Sequence, residues 1–116
     1  MIQTEGQLKR AASDYLQYGE SQGKWLWLRL NAGQFPTQSG RWARGCRKGT
    51  ADLLVLVGFY GSGMATGHCR TIFLETKSIR GKQTKEQKEF QVKAEVQGCE
   101  YYVIRSIEEL QEAIDD

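Results

Sequence analysis

Residues 51–57, ADLLVLV, form an apolar run that leaves no polar face on any strand it makes. A strand apolar on both faces belongs inside a sheet covered on both sides, which predicts an α/β domain with helices above and below the sheet. A second run, TIFLETK (71–77), predicts a neighbouring strand over residues 70–77. Both runs carry charge at their ends: Asp52 opens the first, and Glu75 and Lys77 close the second. Side chains alternate along a strand, so Ile72, Leu74 and Thr76 share one face, and Phe73, Glu75 and Lys77 share the other. If the two strands pair, Asp52 reaches the place to which Glu75 and Lys77 point.

The other elements follow from spacing and caps. Thr4 with Gln7 fits a capping box, and Leu8, Ala11, Ala12, Tyr15 and Leu16 recur at helical intervals, with Gly19 and Gly23 bracketing the helix end. KWLWLRL (24–30) predicts a strand, and residues 31–50, with the only proline and four glycines, predict a long loop. A Gly/Ser-rich connection, GFYGSGMATG, links the two central strands. A second helix is expected from Lys82 to about Gln97, stopped by Gly98. EYYVIR (100–105) predicts a fourth strand, and Ser106 with Glu109 caps a short helix over 107–114. The resulting order is α-β-β-β-α-β-α in one domain of 116 residues.

Charge is segregated along the chain. Six basic residues (Lys24, Arg29, Arg41, Arg44, Arg47, Lys48) and no acid lie between Ser21 and Ala51, whereas seven acids against Arg105 alone follow from Glu95. Such asymmetry predicts one face built for an anionic partner, of which nucleic acid is the commonest. No apolar run approaches the ~20 residues of a membrane span, and MIQTEGQLKR lacks a signal-peptide core, so a cytoplasmic protein is expected. Cys46, Cys69 and Cys99 form no CxxC pair and read as free thiols; His68-Cys69 alone makes no zinc signature.

Two carboxylates on neighbouring strands supply hard oxygen ligands, which suit Mg²⁺ or Mn²⁺, and the Thr76 backbone carbonyl between them could be a third. A lysine beside such an ion could orient an attacking water and offset charge building on a phosphate. The blander alternative is a solvated same-face ion pair between Glu75 and Lys77, worth under ~1 kcal/mol.

Gly49-Thr50-Ala51-Asp52-Leu53, then Glu75-Thr76-Lys77, Gly81 and Gln87, resemble the PD-(D/E)xK nuclease superfamily, and within it the small stand-alone VRR-NUC (virus-type replication-repair nuclease) proteins. The resemblance spans almost the whole chain, and Thr50-Ala51 departs from it where a proline would precede the aspartate. It implies a PD-(D/E)xK-like core, α-β-β-β-α-β, with a mixed central sheet flanked by helices and a short C-terminal helix added. It implies that Asp52 and Glu75 bind the divalent ion, that Lys77 acts on the nucleophilic water, and that Glu5 and Gln87 support the site. Glu5 shares a helix face with Leu8 and Ala12, and Gln87 shares one with Phe90 and Ala94. Glu5 equally suits a helix first turn, and Gln87 equally suits a capping box with Thr84.

Arg41, Arg44, Arg47 and Lys48 lead into the Asp52 strand and could grip phosphate, with Lys82 on a second basic rim. Trp42 among them could stack on an unpaired base or cover core. Val92 and Val96, opposite Phe90 and Ala94 on the second helix, imply deeper burial or a subunit contact. The expected function is therefore a Mg²⁺- or Mn²⁺-dependent DNA endonuclease, structure-selective on branched DNA such as four-way junctions and acting as a homodimer. A non-catalytic DNA-binding accessory protein would need only the basic face. A restriction-type nuclease would need a separate reading element, for which 116 residues leave little room.

Overall fold

In the computed structural model, residues 3–31, 33–59 and 67–115 are described. Helix α1 (Glu5–Ser21) opens on the expected capping box: Thr4 Oγ1 accepts from the Gln7 N–H at 3.1 Å, and the Gln7 side chain accepts from the Thr4 N–H at 2.9 Å. The helix ends at Ser21, between Gly19 and Gly23 as expected, and Gly19 lies inside its last turn. A Cβ there would fall 2.0 Å from the Trp25 indole, whose Nε1 donates to the Leu16 carbonyl at 2.7 Å. Gly19 therefore serves close packing, and the chain turns at Gly23, whose φ is +78°.

The main sheet is built from β1 (Leu26–Arg29), β4 (Leu53–Phe59), β5 (His68–Thr76) and β6 (Glu100–Ile104), in the order β1-β4-β5-β6. The pairs β1/β4 and β4/β5 are antiparallel, and β5/β6 is parallel, so the sheet is mixed. A parallel pair needs a crossover, which helix α2 (Lys85–Val96) supplies. The strands lie within a residue or two of their predicted bounds. The predicted Gly/Ser connection falls largely on residues 60–66, outside the described residues.

Alternation sorts the sheet faces. Leu53, Val55, Ile72, Leu74 and Ile104 form one core with Ala12 and Leu16 of α1 and with Leu110, Ala113 and Ile114 of α3 (Ile107–Asp115). On the other face Phe73 meets Phe90 of α2 edge-on at 5.0 Å, and Phe90 lies 6.2 Å from Tyr101. Helices thus flank both faces, as the apolar run of β4 requires, although α2 leaves Leu26 and Leu28 of β1 exposed. Arg70 ties α3 to the sheet: it forks onto Glu100 with two 2.8 Å bonds and donates to the Ala113 and Ile114 carbonyls at the helix C-terminus. Among the described residues, no helix is long and apolar enough to cross a membrane.

Two expectations need correction. Residues 31–50 are not a simple loop, because β2 (Gln34–Pro36) and β3 (Trp42–Arg44) pair as an antiparallel hairpin. Its turn closes through Gly40 N–H to Thr37 O at 3.0 Å, and Gly40 has φ +82°. Helix α2 begins at Lys85, not Lys82, because Thr84 is its N-cap. The preceding turn is held by Arg105, whose Nη1 donates to the carbonyls of Ser78 (2.5 Å) and Gly81 (2.7 Å).

Gly49 fixes how the basic segment approaches β4. Its φ is +93°, and a Cβ would lie 2.5 Å from the Glu86 carbonyl of α2. Gly49→Ala combines left-handed strain with a backbone collision, so an expected loss of about 1–3 kcal/mol should appear in urea unfolding. A loss within ±0.5 kcal/mol would show that the segment is not pinned there.

Candidate functional site

The sheet register builds the site. Leu53 lies opposite Leu74, so the next pair along the ladder sets Asp52 beside Glu75. Backbone bonds extend past both strand ends: Leu30 N–H donates to Asp52 O at 2.8 Å, and Lys77 N–H donates to Ile104 O at 3.0 Å. The two carboxyl groups thus sit on a frame made by all four strands.

Asp52 is well supplied with partners. Its Oδ2 accepts from the Thr76 N–H at 2.9 Å and from Thr76 Oγ1 at 2.7 Å, and its Oδ1 pairs with Lys9 Nζ at 3.2 Å. It also shares a hydrogen bond with the Glu75 carboxyl. Glu75 is only 1% exposed, and its Oε1 has no hydrogen-bond partner. Lys77, on the same face of the chain, is 8% exposed. An unsatisfied buried carboxyl oxygen beside a second carboxylate is costly unless the group is neutral or a cation is bound.

Burial is the largest influence on Glu75. It raises the carboxyl's pKa, the hydrogen bond and charge of Asp52 raise it further, Glu5 adds a little, and Lys77 opposes; the result is about 9. Burial would raise Asp52 as well, but the hydrogen bonds from Glu75 and Thr76 and the charge of Lys9 outweigh it and hold Asp52 below the usual carboxylate range. The pair therefore holds one proton between two acids at neutral pH, carried on Glu75. Burial, together with the charges of Glu75 and Asp52, pushes the Tyr101 phenol up to about 12, against the hydrogen bond from Gln83 at 3.3 Å.

The other sequence candidates separate. Glu5 does not join Leu8 and Ala12 on the inward face as expected: it is exposed in the first turn of α1, ahead of the packed part of the helix, and only its charge is felt at Glu75. Gln87 is engaged in the α2 cap: its Oε1 accepts from the Thr84 N–H at 2.8 Å, and its own N–H donates to Thr84 Oγ1 at 3.1 Å. Arg41, Arg44 and Lys82 are exposed. Trp42 is 68% exposed on β3, so it does not cover core. Arg47 lies over the Phe90 ring at 5.9 Å, and Lys48 pairs with Glu86 at 3.6 Å; both are thereby brought onto α2. Cys46, Cys69 and Cys99 are free thiols.

Sequence reasoning did not single out Lys9 or Tyr101. Lys9 stands four residues after Glu5 on α1, and its part-exposed side chain reaches across to Asp52, a contact between the first helix and a distant strand. Tyr101 is paired in register with Phe73, two residues before Glu75, and no sequence motif marks it.

The donor set fits a hard divalent ion. Among the described residues no group of three or more His, Cys, Asp or Glu side chains comes together. Two carboxylates are nonetheless enough for Mg²⁺, which keeps several waters and takes further oxygens from phosphate. The orphaned Glu75 Oε1 is the atom such an ion would satisfy. No family model, curated protein or solved structure gives a significant match to the chain.

Proposed function

We propose that this protein is a Mg²⁺- or Mn²⁺-dependent DNA endonuclease of the VRR-NUC type, within the PD-(D/E)xK superfamily, that cuts branched DNA. The observation that carries the reading is the pairing of half-buried Asp52 with buried Glu75, whose Oε1 is orphaned, beside buried Lys77. Ion pairs that only stabilise a fold have no need of an unsatisfied carboxyl oxygen. The element order agrees, since removing the β2–β3 hairpin leaves α-β-β-β-α-β-α.

Asp52 and Glu75 would hold the ion, with Thr76 kept against Asp52 by its backbone N–H and its hydroxyl. The bound ion would supply Lewis-acid stabilisation of the phosphate and a more acidic water. Lys77 would orient the attacking water and offset the negative charge that builds on the phosphate oxygens. Glu5 adjusts the field at Glu75, and Gln87 fixes the start of α2. Arg41, Arg44, Arg47 and Lys48 contact phosphates, and exposed Trp42 stacks on an unpaired base. Val92 and Val96 are 59% and 74% exposed, so burial within the protomer does not account for them. They suit a homodimer contact, and two sites would let a cytoplasmic dimer cut both strands of a junction.

The test is cleavage of a labelled four-way junction and its matching linear duplex in Mn²⁺, Mg²⁺ or EDTA, with wild type beside Glu75→Ala. Metal-dependent junction cutting that is lost in the variant supports the proposal. Equal DNA binding by both proteins without cutting would favour an accessory DNA-binding role, and sequence-dependent cutting of the duplex would favour a restriction-type enzyme.

A further inference from the structure

Lys9 is a charged group at the carboxyl pair to which the proposed chemistry assigns no task. It follows Glu5 by four residues on α1, the spacing and polarity at which a glutamate and a lysine pair along a helix. Its ammonium crosses instead to Asp52 Oδ1 at 3.2 Å. The helix beneath it is firmly seated, with Leu8 and Ala12 buried and Ser13 Oγ donating to the Lys9 carbonyl at 2.9 Å. The side chain itself keeps 29% exposure. Lys9 can therefore leave Asp52 by changing rotamer, without disturbing the core. Lys77 differs: it is buried and continues the strand-end ladder.

A divalent ion on Asp52 and an ammonium 3.2 Å from the same carboxylate repel each other, so the two compete for it. We propose that Lys9 is a displaceable internal cation: it neutralises Asp52 in the metal-free protein, yields that carboxylate when a divalent ion is bound, and then takes a non-bridging phosphate oxygen of the nucleic acid. This inference rests on the reading of Asp52 and Glu75 as a divalent-ion site. A free lysine next to bound phosphate is a point-charge contact of the kind that fixes a substrate without reading its bases.

The consequence is a pair of effects with opposite signs, which a purely structural ion pair would not produce. In Lys9→Met, calorimetric titration with Mn²⁺ alone should show binding about fivefold tighter than wild type, because no part-exposed ion pair must be broken. DNA affinity with Mn²⁺ present should fall, and its salt slope should drop by about 1, measured in a Lys77→Ala background that prevents cutting. Without Mn²⁺, DNA affinity should be unchanged. Lys9→Arg should restore both properties toward wild type. Lys9→Met binding Mn²⁺ no more tightly than wild type would overturn the inference while leaving the metal site intact. Wild type binding no Mn²⁺ would remove the metal site and the inference together, and Glu75→Gln titrated in parallel shows which has happened. A melting curve in EDTA checks that each variant is folded.

Discussion

In EDTA at pH 8, Glu75→Gln is expected to be more stable than wild type by about 2–4 kcal/mol, and the difference should disappear by pH 4. The folded protein holds the Glu75 proton up to about pH 9, whereas the ordinary value is 4.5. Between those values unfolding releases a proton. Stability therefore falls as pH rises, by at most about 1.4 kcal/mol per unit, and the contribution is complete below about 4.5 and gone above about 9. Glutamine imitates the protonated carboxyl: its amide can donate to Asp52 as the acid proton does, and it has nothing to lose as pH rises. Urea unfolding of both proteins at pH 4, 6 and 8 reads the effect directly. Parallel stability profiles would mean that Glu75 is ionised in the fold, with its charge met by groups other than the proton. The variant would thus gain stability at the expense of the proposed activity, a pattern common at functional sites.

The second large effect concerns Lys77. Lys77→Ala should lower the single-turnover cleavage rate by at least about 10²-fold while leaving junction affinity within about twofold. Its charge opposes ionisation cost at Glu75 without being hydrogen-bonded to the pair in the metal-free fold. Removing it therefore takes away little that holds the protein together while Glu75 is protonated. What it takes away is positive charge at the place where the transition state develops negative charge. A matched loss of binding and cleavage would place Lys77 in substrate gripping; loss of both along with the melting transition would make it structural.

Much of this site was legible from strand parity. The acids at the ends of two apolar runs came together because each run alternates about a fixed face and because antiparallel pairing sets Leu53 against Leu74. The caps at Thr4 and Thr84 were equally readable, since a capping box is a local three-residue event. The same locality hid other features. The β2–β3 hairpin has strands of three residues each, too short for alternation to show against its glycines and proline. Gly19 and Gly23 bracketed the end of α1 as read, but the packing role of Gly19 was hidden, because the Trp25 indole against its Cα is a tertiary contact. The Lys9–Asp52 pair joins the first helix to a distant strand, and no spacing rule announces it. Trp42 was open between stacking and core, and only its exposure on the hairpin decided against core.

The central claim is that Asp52 and Glu75 form a divalent-ion site that is protonated when empty. Isothermal titration of Mn²⁺ into the protein at pH 8, repeated in two buffers of different ionisation enthalpy, tests it most directly, because the buffer dependence counts protons released on binding. The expected result is saturable binding accompanied by release of close to one proton, tighter at pH 8 than at pH 6, and abolished in Glu75→Gln. Binding that releases no proton, or that survives unchanged in Glu75→Gln, would contradict the claim.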